Sequence, residues 1–485
     1  MKKLLLAVID SLKPEMLDRA IAEGRAPALA ELVKRGTYVR DCVSAFPSVT
    51  PVAAASIATG LGPDGHAIPS MNWYHRGEER YVEYGSSFQA TRTFGIVRSL
   101  YDTVYNMNLT HLSQASPTVF ERLEDRGLRA AGTTYLIYRG RTRHEPEVDG
   151  VYSRVARAAQ FRHATWGPTE LFYADLFASR RTDCRSTLGM PGQRDQHTGC
   201  VCAHMVEEDL ADFILCSLPD NDTYSHRRGP FAQVTSIAVA DRALERIMHV
   251  AGGPDRFLED HAVVVMSDHS QTAVERILDL REAMDEDWRV LLPEDPVPED
   301  AEVAVSPTAR FGMVYVLDPD ACARVAPRIA RRLIDLEGVD LVARRDGDEA
   351  IVAGDGGELR FAPGGDLRDV RGGAWSLEGD LETLELATGD GRISSDAYPL
   401  ALERLWAALG CSEMGDVLVS AKPGYELVDW GGASHIGGGS HGSLHRGDSL
   451  GALILCGVEA AAPAPEQWML RDVTPMICDH FSIPS

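Results

Sequence analysis

The sequence lacks two features that proteins use to reach membranes or nucleic acids. No stretch approaches about 18 unbroken apolar residues, which argues against a membrane-spanning helix. Basic residues are in deficit, with 48 Lys and Arg against 72 Asp and Glu, so the formal net charge is −24. Such a charge repels polyanions, and we therefore predict neither a nucleic-acid partner nor a membrane partner.

Cysteines are few, and their spacing suggests no disulfide framework. The chain has nine, and an odd number favours mostly reduced, buried thiols in a cytoplasmic protein. Cys184, Cys200 and Cys202 lie near His197 and His204 in the sequence, so a structural metal is an alternative there. The spacing matches no zinc-binding pattern, which favours the interpretation as loop cysteines.

The amino-terminal stretch MKKLLLAVIDS imitates a secretory signal sequence. Its apolar run is short, however, and no small-residue cleavage site follows Asp10. We interpret it as a first buried strand and predict a cytoplasmic location. The overall content of 44% hydrophobic and 25% charged residues is ordinary for a soluble globular enzyme.

Four short apolar runs have the length and composition of buried strands: LLLAVID, ADFILCSL, HAVVVM and GALILCG. Helical patterns alternate with them, at 14–35, 51–59, 117–126, 230–250 and 321–336. This alternation predicts an α/β fold with a mostly parallel central sheet and helices on both faces. In such sheets, ligands bind outside the carboxyl ends of the strands.

Two regions depart from this alternation. Residues 306–430 carry hairpin-like alternation with Asp-Gly and Gly-Gly turns, which predicts a smaller α+β cap inserted into the chain. Residues 140–205 are rich in arginine and irregular, and we expect an insertion that overhangs the site. The catalytic core is then predicted at 1–305 and 431–485.

The polar residues beside the strand ends are of the types that hold metal ions. Asp222 and His226 are four residues apart, which places them on one face of a helix, and Asp268 and His269 directly follow HAVVVMS. Each pair alone would be an ordinary polar helix start or turn, and Asp10 alone would cap a helix. Together they suggest the two ligand sets of a two-metal hydrolase. The six predicted ligands are Asp10, Asp222, His226, Asp268, His269 and His441.

The segment SAFPSVTPVAAASIATG places a threonine and a proline before a run of small residues. Proline favours the first position of a helix, so Thr50 and Pro51 are predicted as N-cap and first residue. A helix N-terminus attracts anions, and a metal-bound hydroxyl there can ionise and attack phosphorus. The alternative is that Thr50 only caps a buried helix.

These motifs resemble those of the alkaline phosphatase superfamily. The nearest branch is the nucleotide pyrophosphatase/phosphodiesterase group, with phosphonoacetate hydrolase as a relative. The segment TPVAAASIATGLGPDGHAIPSMN is similar to the nucleophile segment of that group, and Thr50 and Gly60 keep its ten-residue separation. DNDTYSH, SDHS and GGGSHGSLH resemble its three metal-binding motifs, the last favouring His441 over His445.

The resemblance implies a nucleophilic Thr50, which also bridges toward one metal ion, and a phosphate-contacting Asn72. It implies two divalent ions, for which zinc is preferred and manganese or iron remain open. It assigns one ion to Asp222, His226 and His441, and the other to Asp10, Asp268 and His269.

The function expected from this resemblance is hydrolysis of a phosphodiester or nucleotide pyrophosphate-type bond in a small molecule, through a phospho-threonine intermediate. A phosphonoacetate hydrolase-like cleavage of a carbon–phosphorus bond and a phosphomonoesterase are alternatives. The phosphonate ranks second because residues 73–100 contain arginines but no lysine to contact its carboxylate. A non-catalytic, metal-stabilised binding protein is an alternative of a different class.

Overall fold

The computed structural model describes residues 1–146, 161, 163–173, 176–185, 190–293, 300–459 and 464–485. Within these ranges, no helix combines the length and the apolar character needed to cross a membrane.

The centre of the molecule is an eight-stranded sheet. Lys3–Ile9 lies in its middle and pairs in parallel with Phe213–Leu218 on one side and His261–Met266 on the other. Every residue of those two neighbours is buried, as expected for strands covered on both faces. The predicted α/β fold with a mostly parallel sheet is confirmed. In spatial order the strands are Thr37–Val43, Leu450–Cys456, His261–Met266, Lys3–Ile9, Phe213–Leu218, Ala130–Thr133, Glu170–Tyr173 and Phe177–Ala178.

The direction of the strand Leu450–Cys456 has a consequence for the site. Leu450–Cys456 is antiparallel to His261–Met266, whereas the strands around Lys3–Ile9 are parallel. The start of an antiparallel strand lies at the same sheet edge as the carboxyl ends of its parallel neighbours. Residues that precede Leu450 therefore meet residues that follow the parallel strands.

Helices cover both faces of the central sheet. Leu4, Leu6 and Val8 belong to the core cluster that includes the helix Thr50–Thr59, whereas Leu5 and Ala7 face the opposite cluster. This division follows from the alternation of side chains along a strand. The described α-helices are Pro14–Ala22, Pro27–Arg35, Thr50–Thr59, Pro63–His66, Phe88–Phe94, Ile96–Tyr101, Val119–Glu124, Arg194–Glu207, Asp220–Arg228, Val234–Val250, Pro254–Asp260, Leu280–Asp285, Cys322–Ile334, Ala401–Leu409, Arg446–Ser449 and Val473–His480, with a π-helix at Asp102–His111.

A second sheet forms in the region where the sequence predicts hairpins. It begins at Val303, three residues before the predicted start of the cap, and most of its neighbouring strands are antiparallel. Its strands are Val303–Thr308, Phe311–Val316, Val417–Ala421, Val339–Asp346, Glu349–Gly354, Gly357–Arg368, Arg392–Ser394 and Ala387–Gly389 in path order, with Ala374–Gly379 paired to Gly357–Arg368.

Three small sheets complete the described strands. One joins Gly424–Leu427, Thr272–Leu278 and Gly439–Ser440, and it connects the end of the second sheet to the loops around the candidate site. The other two are the pairs Asn72–His75 with Arg80–Glu83, and Thr142–His144 with Thr165–Gly167.

The region 140–205 differs from the irregular insertion that the sequence suggested. Glu170–Tyr173 extends the central sheet in parallel with Ala130–Thr133, and Arg194–Glu207 forms a helix. The strand is buried but only four residues long, too short to give a clear periodic signal. Residues 147–160, 162, 174–175 and 186–189 of this region lie outside the described residues.

The cysteine prediction was partly wrong, because Cys184 and Cys200 form a disulfide. Their separation of 16 residues carried no recognisable pairing signal. The other seven cysteines are free, and only Cys322 among them is not buried. His197 contacts the carbonyl of Arg185 instead of a cysteine. The disulfide between Cys184 and Cys200 therefore contradicts both interpretations made from the sequence, a structural metal site and reduced loop cysteines.

Candidate metal centre

Four separate segments converge at one edge of the central sheet. Asp10 directly follows the middle strand, and Asp268 and His269 follow the strand His261–Met266. Asp222 lies on the helix that begins immediately after the strand Phe213–Leu218. His441 precedes the antiparallel strand, so it reaches the same edge from the opposite chain direction. The sheet topology thus explains why residues so distant in sequence meet.

One compact group contains two carboxylates and one imidazole. His269 Nε2 lies 3.7 Å from Asp10 Oδ1 and 3.5 Å from Asp268 Oδ2. One ligand atom from each of these three residues lies within 4.8 Å of the others. All three residues are buried. This geometry matches the predicted Asp10, Asp268 and His269 set.

The second compact group is centred on Asp222. His441 Nε2 lies 3.7 Å from Asp222 Oδ1, and the group with mutual distances within 4.8 Å is Asp222, His269 and His441. His226 is outside that group, but its Nε2 lies 3.3 Å from Asp222 Oδ2. All six predicted ligands are therefore gathered, with His269 between the two groups and His226 at one side.

The residues present fit a pair of divalent cations. Asp10 Oδ1 is buried and has no hydrogen-bond partner among the described residues, which is costly for a carboxylate unless a cation or proton meets it. The imidazole rings of His269 and His441 stack with centroids 3.8 Å apart, and that of His226 lies 5.1 Å from His441. Carboxylate oxygen and imidazole nitrogen together form a ligand set suited to zinc.

Each imidazole is held through Nδ1, which leaves Nε2 for the centre. A carbonyl can only accept, so His226 Nδ1 donates to Gly439 O at 2.8 Å and His441 Nδ1 donates to Ser48 O at 2.9 Å. The loop that contains Gly439 can approach the helix Asp220–Arg228 this closely because Gly438 has no side chain. A Cβ there would lie 1.9 Å from the carbonyl oxygen of His226.

The carboxylates of the Asp10 group repel one another. Burial, followed by the charges of Asp268 and Asp222, raises the pKa of Asp10 well above its ordinary value. Burial also raises the pKa of Asp268 to about 6, although N–H donors from Ser11 and His269 oppose the shift. A bound cation would remove this repulsion.

The Asp222 group has the opposite electrostatic character. Burial acts to raise the pKa of Asp222, but His226, His441 and His269 outweigh it and hold that pKa well below its ordinary value. Burial acts to lower the pKa of His226, yet Asp222 raises it overall. Burial lowers the pKa of His269 to about 4 and that of His441 to about 3, so both are neutral near pH 7 and able to bind a metal.

Thr50 does not cap its helix, which corrects the sequence-based assignment. The N-cap is Val49, whose side chain makes no capping hydrogen bond, and Thr50 is the first helical residue. Proline is tolerated throughout the first helical turn, so the pattern fixed the helix start only to within one residue. Thr50 Oγ1 instead lies 3.1 Å from Nε2 of His269, the residue common to the two compact groups.

The loop that carries Thr50 is fastened to the loop that carries His441. Ser48 N donates to the carbonyl of Gly442 at 3.3 Å, and Ser48 Oγ donates to the carbonyl of Ser443 at 2.8 Å. With the His441 contact to Ser48 O, three hydrogen bonds join these segments. These bonds fix the position of the Thr50 segment relative to that of His441.

A buried ion pair supports the His441 loop from the second sheet. Arg310 and Asp448 are both fully buried and pair at 2.5 Å, and Arg310 N donates to the carbonyl of His441. Asp448 also accepts from Ser443 N at 2.9 Å and from Thr272 Oγ1 at 2.6 Å. Sequence reasoning missed this pair, because an isolated arginine and an isolated aspartate carry no signal of mutual burial.

The predicted Asn72, and His445, the rival candidate to His441, form their hydrogen bonds elsewhere. Asn72 is buried, and its amide donates to Pro307 O at 2.6 Å and Thr308 Oγ1 at 2.8 Å, so both of its N–H groups serve the second sheet. Within the described residues, no hydrogen bond connects Asn72 to Thr50 or to a proposed ligand. His445 Nδ1 accepts from Gly447 N and caps a short helix, which leaves His441 as the histidine at the centre.

Comparisons with known proteins identify the family of the chain. A model of the family described as type I phosphodiesterase/nucleotide pyrophosphatase matches residues 4–353. A comparison with curated protein sequences gives no match.

Similar solved structures share the fold along nearly the whole chain. Phosphonoacetate hydrolase from Sinorhizobium meliloti 1021, in complex with phosphonoformate, is 18% identical with a TM-score of 0.57, covering 98% of this chain and 94% of that one. Human ectonucleotide pyrophosphatase/phosphodiesterase 5 is 12% identical with a TM-score of 0.59, covering 100% and 96%. An inactive threonine-to-alanine variant of the murine protein, in complex with AMP, is 11% identical with a TM-score of 0.57, covering 100% and 96%.

Proposed function

Since the chain belongs to the type I phosphodiesterase/nucleotide pyrophosphatase family and is a phosphoric ester hydrolase, we propose that it cleaves a phosphodiester or nucleotide pyrophosphate bond through a phospho-threonine intermediate on Thr50. The observation that carries this proposal is the position of Thr50 Oγ1, 3.1 Å from His269 Nε2, where the two ligand groups meet. The substrate is a small molecule, as the ligands of the similar structures also are.

Two divalent ions, zinc by preference, would be held by the Asp222, His226 and His441 set and by the Asp10, Asp268 and His269 set. When bound, such ions lower the pKa of a nearby hydroxyl and stabilise negative charge on phosphoryl oxygens. The donor set and the unpartnered Asp10 Oδ1 support this assignment.

The proposed reaction has two steps, the attack of Thr50 on phosphorus and the hydrolysis that releases Thr50. Thr50 Oγ1 forms a bond to phosphorus as the bond from phosphorus to the leaving-group oxygen breaks, and the proton lost by the Thr50 hydroxyl is balanced by the one that the leaving oxygen takes up. Water then cleaves the Oγ1–P bond and restores the Thr50 hydroxyl. The first N–H groups of the helix Thr50–Thr59 lack intrahelical partners, and they orient the phosphoryl oxygens. A contact from Asn72 to phosphate would require its amide to leave Pro307 and Thr308.

The murine relative supports the threonine assignment, because its threonine-to-alanine variant is described as inactive and binds AMP. The phosphonoacetate hydrolase similarity supports a second candidate, the cleavage of a carbon–phosphorus bond. A phosphomonoesterase and a non-catalytic metal-binding protein are weaker alternatives, the last because Thr50 and the six ligands are all present and gathered.

We also propose a cytoplasmic location, although the Cys184–Cys200 disulfide is more typical of oxidising compartments.

The test is to replace Thr50 by alanine and measure turnover and metal content. We expect Thr50→Ala to retain metal but to lower kcat by at least about 100-fold, the scale for removing a covalent nucleophile. The substrates are nucleotide diesters, nucleotide sugars, monoesters and phosphonates, each assayed with zinc- and manganese-loaded protein. The preferred class among them decides between the candidates.

The matched control is Thr59→Ala, in the same helix. The Thr59 hydroxyl is buried and donates to the carbonyl of Ala55, away from the ligands. This variant is expected to keep turnover within a few-fold of the wild type. Near-normal turnover in Thr50→Ala would reject the nucleophile assignment.

A further inference from the structure

Ser11 directly follows Asp10 in the sequence and contacts three other proposed ligands at once. Its Oγ lies 2.8 Å from Asp222 Oδ1 and 3.1 Å from His269 Nδ1, and its backbone N–H donates to Asp268 Oδ1 at 3.0 Å. The side chain is fully buried. Ser11 therefore joins ligands that belong to both proposed metal ions.

The direction of these hydrogen bonds follows from their chemistry. An ionised carboxylate can only accept, so the single hydroxyl proton of Ser11 points to Asp222. Its oxygen then accepts from His269 Nδ1–H. His269 Nδ1 also lies 3.2 Å from the carbonyl oxygen of Ser270, so Ser11 and Ser270 together hold the tautomer that leaves Nε2 unprotonated toward the centre. A chain of two hydrogen bonds thus runs from His269 through Ser11 to Asp222.

The backbone of Ser11 is in a conformation that glycine would adopt more easily. Its φ is 58°, in the left-handed region. Two buried glutamines hold the residue there, since Gln233 Nε2 donates to Ser11 O at 2.8 Å and Gln271 Nε2 donates to Ser11 Oγ at 3.3 Å. Gln271 also donates to Asp222 Oδ1. A residue other than glycine kept in the left-handed backbone region at a candidate site suggests that its hydroxyl has a role.

We propose that Ser11 is a positioning residue that couples the two metal sites, because its hydroxyl holds the imidazole of His269 and the carboxylate of Asp222 in one relative orientation. This inference rests on the proposed function, because it concerns the ligands of the two ions. Groups that orient metal ligands in this way typically change metal affinity by about 10- to 100-fold when removed.

The test titrates metal-free wild type, Ser11→Ala and Ser11→Gly with Zn²⁺ by isothermal titration calorimetry. We expect both variants to bind both ions about 10- to 100-fold more weakly than the wild type. Glycine suits the positive φ, so Ser11→Gly keeps the test valid if Ser11→Ala fails to fold. Melting temperatures of the metal-free proteins, measured alongside, should not track the loss of affinity.

The matched control is Ser99→Ala, another buried serine, whose hydroxyl donates to the carbonyl of Gly95 at 3.2 Å and, within the described residues, makes no hydrogen bond to a proposed ligand. Its zinc affinities should equal those of the wild type. If either Ser11 variant that folds binds both ions as tightly as the wild type, or if only one ion is weakened, the coupling role is wrong. A wild-type protein that takes up no metal would instead overturn the proposed function, and this inference with it.

Discussion

The two ligand groups differ in how the protein balances their charge. Asp222 stands among three imidazoles, and they hold its pKa well below the ordinary value despite burial. Asp10 and Asp268 share one neutral imidazole. Burial, followed by the charges of Asp268 and Asp222, raises the pKa of Asp10, and burial with the charge of Asp222 raises the pKa of Asp268. The Asp222 group is therefore close to self-neutral without metal, whereas the Asp10 group depends on a cation for its balance.

The largest expected effect is a loss of turnover when one metal ligand is replaced, and this loss should be similar for the two groups. Asp268→Asn and Asp222→Asn each remove one charged ligand, so we expect each to lower kcat/KM by at least about 100-fold and to reduce bound zinc from two ions to one. Steady-state kinetics with elemental analysis of the purified protein checks this. Two ions retained at wild-type affinity in either variant would contradict the ligand assignment.

The two groups also differ in the contacts that hold their loops, because a buried ion pair lies beside the loop of His441, a member of the Asp222 group. Arg310 is fully buried against Asp448, and its backbone N–H holds the carbonyl of His441. Arg310→Met leaves the Asp448 carboxylate buried without its cation, so we expect the free energy of unfolding to fall by about 3–5 kcal/mol. Denaturant unfolding measures this change.

The control for this prediction is Arg276→Met, which removes an exposed ion pair with Glu337. Such pairs contribute about 0–1 kcal/mol, so little change is expected. If Arg310→Met proved no more destabilising than Arg276→Met, the ion pair would not support the His441 loop.

The central sheet and the gathering of the ligands could be predicted because they follow from local rules. Each core strand is a short apolar run, and the polar residue after it reaches the carboxyl edge by topology alone. The direction of Leu450–Cys456 could not be predicted, because the same residues form a parallel or antiparallel strand equally well. That direction is what places His441 at the edge.

Features that depend on two distant positions were the ones sequence reasoning missed. The disulfide of Cys184 with Cys200, the pairing of Arg310 with Asp448 and the contacts of Ser11 are properties of the folded chain, and no residue in them has a distinctive neighbourhood in sequence. The start of the helix at Thr50 was missed by one residue, because proline fits more than one position of a first turn. The roles of Thr50 and Asn72 stay predictions.

The smallest expected effect is also the one that separates the two groups most directly. Asp268 has its pKa raised to about 6, so the stability it contributes is present below about pH 4 and is lost as the pH rises through 6. In metal-free protein at pH 8, Asp268→Asn should therefore raise the free energy of unfolding by about 1–3 kcal/mol. Asp222 has a lowered pKa, so its contribution is present above about pH 4, and Asp222→Asn should lower that free energy. Denaturant unfolding in chelator at pH 8 and pH 5 tests both signs, and the gain from Asp268→Asn should shrink at pH 5. If both variants changed the free energy of unfolding in the same direction at pH 8, the two groups would not differ in charge balance. They would then differ only in the contacts that the second sheet makes with the loop of His441.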